Sequence, residues 1–589
     1  MSWLPDTETV AARRRHGARL LRSGGDGALE VAVLSSFNVD LLPPLLADAF
    51  DRAGLAARIQ TCPFGQVEQA MLDPASQLYA ASPDEVLVVV AAEDALAPLY
   101  TGRAVSPDEA ERLVDERLEA LRAGLDVLLE REPASSVRLC PLPGPAPAPH
   151  VLSVTDPASG QTAVERWLRG VGALEARSSR LSVIDLDRQV GAGGVARLRD
   201  QRLWYLGRMR LGLDGLGLLA ELVHRHVSAD RTVPRKVLAL DLDGTLWDGV
   251  IGEVGVGGIG VGGEGVGLAF EDFQRRLLAL QATGVLLVVC SKNEEADALE
   301  PFARHPGMVL GLEHFVARRI NWQDKATNLR ELAAELNLGL ESFVFLDDSP
   351  IERSWVAEAL PEVLVPALPD DAVDRPAWLA QAPWFARRRV SADDAVRTRG
   401  YHAEADRRAE RTRAPSHAEF LASLDLVVTI GEVDDVTLER TAQLCQKTNQ
   451  FNLTARRDGV ADIATMIGDP HRDVLVVGVA DRFGDSGLTG VAMLRQDGKV
   501  AEVDNLLLSC RVLGRGVEDA VLHHLAGRAR ARGARRLVGR FVPSARNQQA
   551  AGFYARHGFA DTGDNTWTLA LDRALPAPAH VTLREPARA

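Results

Sequence analysis

Residues 235–249 read "RKVLALDLDGTLWDG", an apolar run that stops at two aspartates and a Gly-Thr turn. Val237 to Leu240 has the composition of a buried strand closed by a turn signal. Residues two apart at a strand end point to the same side, so the carboxylates of Asp241 and Asp243 are expected to face one pocket. Two acids that close resist double ionisation unless a cation lies between them or one keeps a proton. Mg²⁺ suits such a place, because it takes a few carboxylates together with water and phosphate oxygens.

An Asp-x-Asp pair alone is common at loop starts, and it gains meaning here from three further stretches. "LLVVCSKN" (286–293) is an apolar run ending in Cys290 and Ser291. "NWQDKATNLREL" (321–332) opens a helical pattern with Lys325, and "FVFLDDSP" (343–350) ends another strand pattern with Asp347 and Asp348. Open α/β sheets gather their ligands at such C-terminal strand ends. Phosphoryl transfer needs these tools: a carboxylate that attacks, a cation and an ammonium that neutralise spreading charge, and a hydroxyl that holds an oxygen. Cys290 leaves two readings open, a small apolar filler on the last rung of its strand or a soft nucleophile on the same edge. It can share a pocket with Ser291 only if the strand has ended before them, since neighbours on a strand alternate.

The order and spacing of these residues resemble the haloacid-dehalogenase (HAD) superfamily of phosphatases. The resemblance implies that Asp241 is a nucleophile forming an aspartyl-phosphate and that Asp243 is the general acid and base. It also implies Mg²⁺ held by Asp241, the backbone carbonyl of Asp243 and Asp347, with Asp348 nearby. The glycine-dense stretch 249–267, "GVIGEVGVGGIGVGGEGVG", takes the place of that superfamily's flap and is expected to be mobile. No separate cap domain is evident between the first two motifs, so a bulky substrate can approach.

The 589 residues are too many for one core. Strand and helix patterns alternate through residues 1–230, as in "LEVAVLSSF", "EVLVVVAAE", "SVRLCPLP" and "RLSVIDLD" with amphipathic runs between them, which predicts an α/β domain on a mostly parallel sheet. Residues 231–375 form a second α/β series around the motifs above. The charged run within 376–414 reads as a solvated linking helix, residues 415–575 as an α+β domain, and 576–589 as a frayed tail. The net charge of −14 argues against nucleic-acid binding. No apolar run is long enough to span a membrane, and no apolar segment follows the basic N-terminal residues as a secretory signal would require. The five cysteines have no Cys-x-x-Cys spacing, so neither a disulfide framework nor a zinc site is indicated, and a reducing, cytoplasmic setting is expected.

Longer strings carry a closer resemblance. "DLDGTLWDGVIGE" (241–253), "VVCSKN" (288–293), "NWQDKATNL" (321–329), "FLDDSPIERSWV" (345–356), "QLCQKTNQFNLTARR" (443–457) and "NLLLSCRVLGRGVEDAVL" (505–522) resemble the FkbH-like family of polyketide pathways. That resemblance implies a glyceryl transferase/phosphatase that takes 1,3-bisphosphoglycerate, removes its phosphates and delivers a glyceryl thioester to an acyl carrier protein. By the same resemblance Cys290 carries the acyl group beside Asp241, Ser291 and Lys325, with Cys445 the second choice. Asp248 departs from the glycine expected after the tryptophan of this motif.

In the third domain Arg511-x-x-Gly514-x-Gly516 precedes a helical pattern, and "NQQAAGFYARHGF" (547–559) follows a strand. Together they resemble the GNAT acyltransferase fold, which implies a phosphopantetheine or acyl site at Arg511, Gly514, Gly516 and Asn547. Backbone N–H groups at such a helix start can hold a phosphate. Tyr554 has ordinary packing as its simplest role. In the first domain Ser35 and Ser36 lie at a strand end, where SGNH-type hydrolases carry a nucleophile, but the Gly-Asp-Ser and Asp-x-x-His of that group are absent, so a degenerate SGNH-like domain is expected. The competing functions are a small-molecule HAD phosphatase, a GNAT-type acyltransferase with a regulatory HAD domain, and a non-catalytic scaffold.

Overall fold

A computed structural model describes residues 7–23, 28–52, 54–80, 82–102, 105–153, 155–186, 188, 194, 198–231, 235–388, 390, 392–434, 436–448, 450–544 and 546–585. The chain divides into two compact units, Met1–Asp394 and Ala395–Ala589.

The first unit contains two parallel sheets. Strands β1 (Leu29–Ser35), β2 (Ala57–Thr61), β3 (Glu85–Ala91), β4 (Ser136–Leu142) and β5 (Leu181–Val183) lie in the order β2-β1-β3-β4-β5. This is the flavodoxin-type order. Helices cover both faces, one layer around Leu42, Phe50 and Leu219 and the other around Met71, Leu125 and Trp167. β2, "ARIQT", is a half-buried edge strand without an apolar run, so sequence pattern alone passed over it.

Strands β6 (Val237–Leu240), β7 (Leu286–Ser291), β8 (Phe315–Ile320) and β9 (Phe343–Leu346) form the second sheet, in the order β8-β7-β6-β9. β6 pairs with both β7 and β9 in parallel, so the ends of three neighbouring strands deliver Asp241, Ser291 and Asp347 to one edge. No strand forms among residues 241–285 apart from isolated bridges. The glycine-dense stretch is anchored, not a free flap: Ile251, Ile259 and Val261 are buried in the core of this sheet, and Asp248 bridges Gly260. Their apolar side chains give the loop a reason to stay down that its glycine content conceals. The Asp248 carboxylate is on an exposed residue.

The predicted linker is corrected in two ways. Leu379 and Phe385 pack into the core of the second sheet, within the first unit. Helix Ala392–Arg413 is not solvated all round, for Arg407 is buried with both Nε and Nη2 on the Asp481 carboxylate, 2.6 and 2.9 Å away.

The second unit is built on one mixed sheet of β10 (Leu426–Glu432), β11 (Phe451–Asn452), β12 (Arg472–Asp481), β13 (Gly484–Asp497), β14 (Val500–Leu508), β15 (Arg536–Arg540), β16 (Ala560–Gly563), β17 (Thr566–Ala570) and β18 (Val581–Arg584). β14 and β15 run parallel only as far as Val503 and Gly539. Beyond that point β11 pairs with β14, the Leu453 N–H donates to Leu506, and the Val542 N–H donates to Leu453. The segment 451–453 therefore closes the gap where the parallel strands part. The C-terminal stretch is not simply frayed: β18 adds to β10 in parallel, because that strand otherwise leaves an open edge of unpaired backbone groups.

Candidate active site

Lys325 is the first residue of helix Lys325–Leu336, whose start is fixed by the Asp324 side chain accepting from the Thr327 N–H at 2.9 Å. That cap directs Lys325 inward. Its Nζ lies 2.9 Å from Asp241 Oδ1 and 2.5 Å from Asp347 Oδ2, and all three side chains are at least nine-tenths buried. Burial works against the charged ammonium, but the two carboxylates outweigh it and hold Lys325 well above its ordinary range. Asp241 is held above the usual carboxylate range, first by burial and then by the charge of Asp347, while Lys325 and a Ser291 hydrogen bond pull the other way. Asp347 is raised mainly by burial, against Lys325. Asp348, also raised mainly by burial and next by Asp241, is more exposed.

The carboxylates of Asp241, Asp347 and Asp348 converge, with one oxygen from each within 4.8 Å of the others. Three acids facing one lysine leave negative charge that a small divalent cation would neutralise, and the all-oxygen donor set is the kind such an ion takes. The backbone beneath is stapled. Arg353 Nη1 donates to the carbonyls of Asp347 and Asp348, both at 2.7 Å, and Arg375 Nη1 to the Gly244 carbonyl at 2.6 Å. Gly244 has φ +65°, and a Cβ there would stand 2.4 Å from Asp348 Oδ2. Only glycine fits both demands.

Asp243 does not share the carboxylate cluster, contrary to the strand-alternation expectation. β6 ends at Leu240, so the chain has already turned. Asp243 Oδ1 accepts from Trp247 Nε1 at 2.8 Å and the Ile251 N–H at 3.0 Å, while Oδ2 accepts from Asn293 Nδ2 at 3.0 Å. The same Asn293 nitrogen donates to Ser291 Oγ at 3.2 Å, which links Asp243 to the Asp241 side of the site. Asn293 escaped sequence analysis; its only signal was its place two residues after Ser291.

The nucleophilic reading of Cys290 is corrected. β7 runs through Ser291, so alternation applies: Ser291 reaches the site while Cys290 turns toward helix Lys325–Leu336. The thiol is fully buried with Sγ 3.7 Å from the Lys325 carbonyl oxygen, and burial raises its pKa far above the thiolate range, with Lys325 lowering it less. Cys445 is no substitute, for it sits on helix Leu438–Lys447 with its side chain in the core, and burial pushes its thiol up to about 12.

The remaining expected residues lie elsewhere. Arg511 and Gly514 are exposed ahead of helix Val517–Ala531, whose first turn carries Glu518 and Asp519. Gly516 is covered: His580 Nε2 would stand 2.8 Å from a Cβ there and lies 2.8 Å from the Arg515 carbonyl. Asn547 is corrected from ligand-binding to structural. It is fully buried, its Nδ2 donates to the Asn452 and Val542 carbonyls at 2.9 Å each, and its Oδ1 accepts from the Ser544 N–H at 2.7 Å. Those bonds pin the segment that closes the β14–β15 gap. Tyr554 is buried packing, as expected. In the first sheet Ser36 Oγ donates to Asp94 at 2.7 Å and accepts from the Ala91 N–H, while Arg210 and Arg199 tie Asp94 and Glu93 into a charge-balanced network. Ser35 is buried. Neither serine has a histidine among the partners described.

No protein-family model matches the chain, and no curated protein matches it. Among solved structures it is similar to the N-terminal part of a Bacteroides fragilis protein containing a phosphatase domain, complexed with Mg, at 28% identity and a TM-score of 0.57, over 64% of this chain and 98% of that one. Two others are the ribosomal-protein-S18-alanine N-acetyltransferase of Escherichia coli and the GNAT domain of a Streptomyces lividans protein abbreviated PAT ("S. lividans PAT"). They are 17% and 18% identical, cover 25% and 24% of this chain and 96% and 89% of theirs, and have TM-scores of 0.20. At that score they assign nothing to the second unit. No helix among the described residues is long and apolar enough to cross a membrane.

Proposed function

We propose that the chain is a Mg²⁺-dependent phosphatase of the HAD type, with Asp241 as nucleophile. The observation that carries this reading is the buried lysine bracketed by Asp241 and Asp347, with Asp348 completing a three-carboxylate cluster at the ends of parallel strands. The similar Bacteroides phosphatase domain, which was complexed with Mg, supports both the activity and the ion. Bound Mg²⁺ would supply charge neutralisation for phosphoryl oxygens, held by Asp241, Asp347 and Asp348. Asp241 attacks phosphorus and the bond to the leaving oxygen breaks, its electron pair staying with that oxygen. Asp243 gives the leaving oxygen a proton and then takes one from the water that cleaves the aspartyl-phosphate. Lys325 keeps Asp241 ionised, and Ser291 holds a phosphoryl oxygen. Phosphate release from a monoester that depends on Mg²⁺ and is lost in Asp241→Asn tests this reading; release that survives the substitution would refute it.

The finer reading rests on the FkbH-like strings: the substrate is 1,3-bisphosphoglycerate and the glyceryl unit is loaded on an acyl carrier protein. With Cys290 sealed, the carrier's own thiolate would attack the acyl carbon, and the bond to the acyl phosphate would break with its electrons leaving on phosphate. Intact-mass measurement of holo carrier protein with enzyme, Mg²⁺ and 1,3-bisphosphoglycerate tests it. A glyceryl adduct supports the reading, and phosphate release without an adduct on the cognate carrier leaves the plain phosphatase.

A further inference from the structure

Asp243 is gripped from two sides. On one, Trp247 Nε1 and the Ile251 N–H hold Oδ1. That side is rigid: Trp247 is fully buried and meets Phe302 edge-on at 5.8 Å, and Phe302 meets Phe315 at 5.5 Å. On the other side Oδ2 is held by Asn293, a buried side chain whose Nδ2 also donates to Ser291 Oγ. One amide nitrogen, spending each of its hydrogens on a different site residue, thus fixes the distance between the acid/base and the hydroxyl beside the nucleophile.

We infer that Asn293 is a positioning residue: it sets the rotation of the Asp243 carboxylate so that the free lone pair of Oδ2 meets the water that attacks the Asp241-bound phosphoryl group. The inference rests on the phosphatase reading above. In that step the water oxygen bonds to phosphorus and the bond from Asp241 to phosphorus breaks, its electron pair returning to the Asp241 carboxylate. The water proton passes to Asp243 Oδ2 and leaves with the next alcohol released, or to solvent where the leaving group departs unprotonated. A mis-set carboxylate harms this step equally for every substrate, and the harm shows most cleanly when the first leaving group needs no proton.

The test uses the full chain with Mg²⁺ and para-nitrophenyl phosphate, whose leaving group departs unprotonated. Asn293→Ala and the similarly shaped Asn293→Leu are compared with the wild type, with folding checked by the unfolding midpoint. The expected result is a burst of nitrophenol near one per enzyme, phosphate trapped on Asp241 by intact mass, and kcat lowered about tenfold to hundredfold. KM should not rise. A variant that folds yet shows no burst and keeps kcat within about twofold would overturn the inference, as would a raised KM with unchanged kcat, which marks a substrate contact. If the wild type shows no Asp241-dependent release at all, the phosphatase reading itself falls, and this inference with it.

Discussion

The Sγ of Cys290 rests 3.7 Å from the carbonyl oxygen of Lys325, on the face of its strand opposite to Ser291. A thiol packed between a strand and a helix is a core group, not a reagent. Cys290→Ala is therefore expected to leave kcat for phosphate release within about twofold while lowering stability by roughly 1–2 kcal/mol through the small cavity left behind. Alkylation of the native protein should modify the exposed Cys510 and spare Cys290 until the chain unfolds. Rapid native labelling of Cys290 would contradict the burial.

Removing the lysine is expected to do more harm than removing the thiol. Lys325 is the nearest cation to two buried carboxylates, and Lys325→Met leaves both without their partner. Breaking a buried pair in this way costs about 3–5 kcal/mol. The loss is expected in the unfolding midpoint without Mg²⁺ and should shrink when Mg²⁺ is added, because the ion takes over part of the neutralisation. A variant as stable as the wild type without metal would refute the pairing.

Metal linkage is expected in the parent protein too. A ligand that binds only the folded state stabilises it by about 2.7 kcal/mol at one hundred times its dissociation constant. Mg²⁺ should raise the unfolding midpoint, and a chelator should reverse the rise and abolish phosphate release. Gly244→Ala should blunt both effects, since its Cβ would displace Asp348 and the backbone must hold φ +65°. Full Mg²⁺ response in this variant would show that Asp348 is not needed for the ion.

Much of this site was legible from residue pattern, for a simple reason. Asp241, Ser291 and Asp347 each follow an apolar run that can only be a buried strand, and parallel strands bring such ends together. Lys325 was legible as the residue that opens the helical pattern of 321–332, while the capping role of Asp324 emerged only in the structure. What depended on exact strand ends was not: whether Asp243 shares a face with Asp241 turns on β6 stopping at Leu240, and the direction of Cys290 turns on β7 continuing to Ser291. Asn293 and Asn547 make their contacts 50 and 95 residues away, which no local pattern reveals. The edge strands β2 and β18 likewise carry too few apolar residues to announce themselves, because pairing rather than burial forms them.

A pH-dependent contribution is expected in the second unit. His557 Nε2 lies 2.9 Å from Asp519 Oδ1, and its Nδ1 lies 2.7 Å from the Phe553 carbonyl. Burial disfavours the charged imidazole, but the Asp519 hydrogen bond and charge, with the Phe553 carbonyl, outweigh it and raise its pKa. The hydrogen bond from His557 lowers Asp519, against burial. A raised histidine stabilises fully below its unfolded value of about 6.5 and loses this as pH rises through the folded value. A lowered aspartate stabilises above its unfolded value of about 3.9 and loses this as pH falls through its folded value. The pair therefore contributes most between about pH 4 and 6.5. His557→Gln should lower the unfolding midpoint more at pH 5.5 than at pH 8.5. The difference should stay below about 1 kcal/mol, since the Asp519 side chain is 40% exposed and screened by solvent. An equal loss at both pH values would assign His557 a packing role alone.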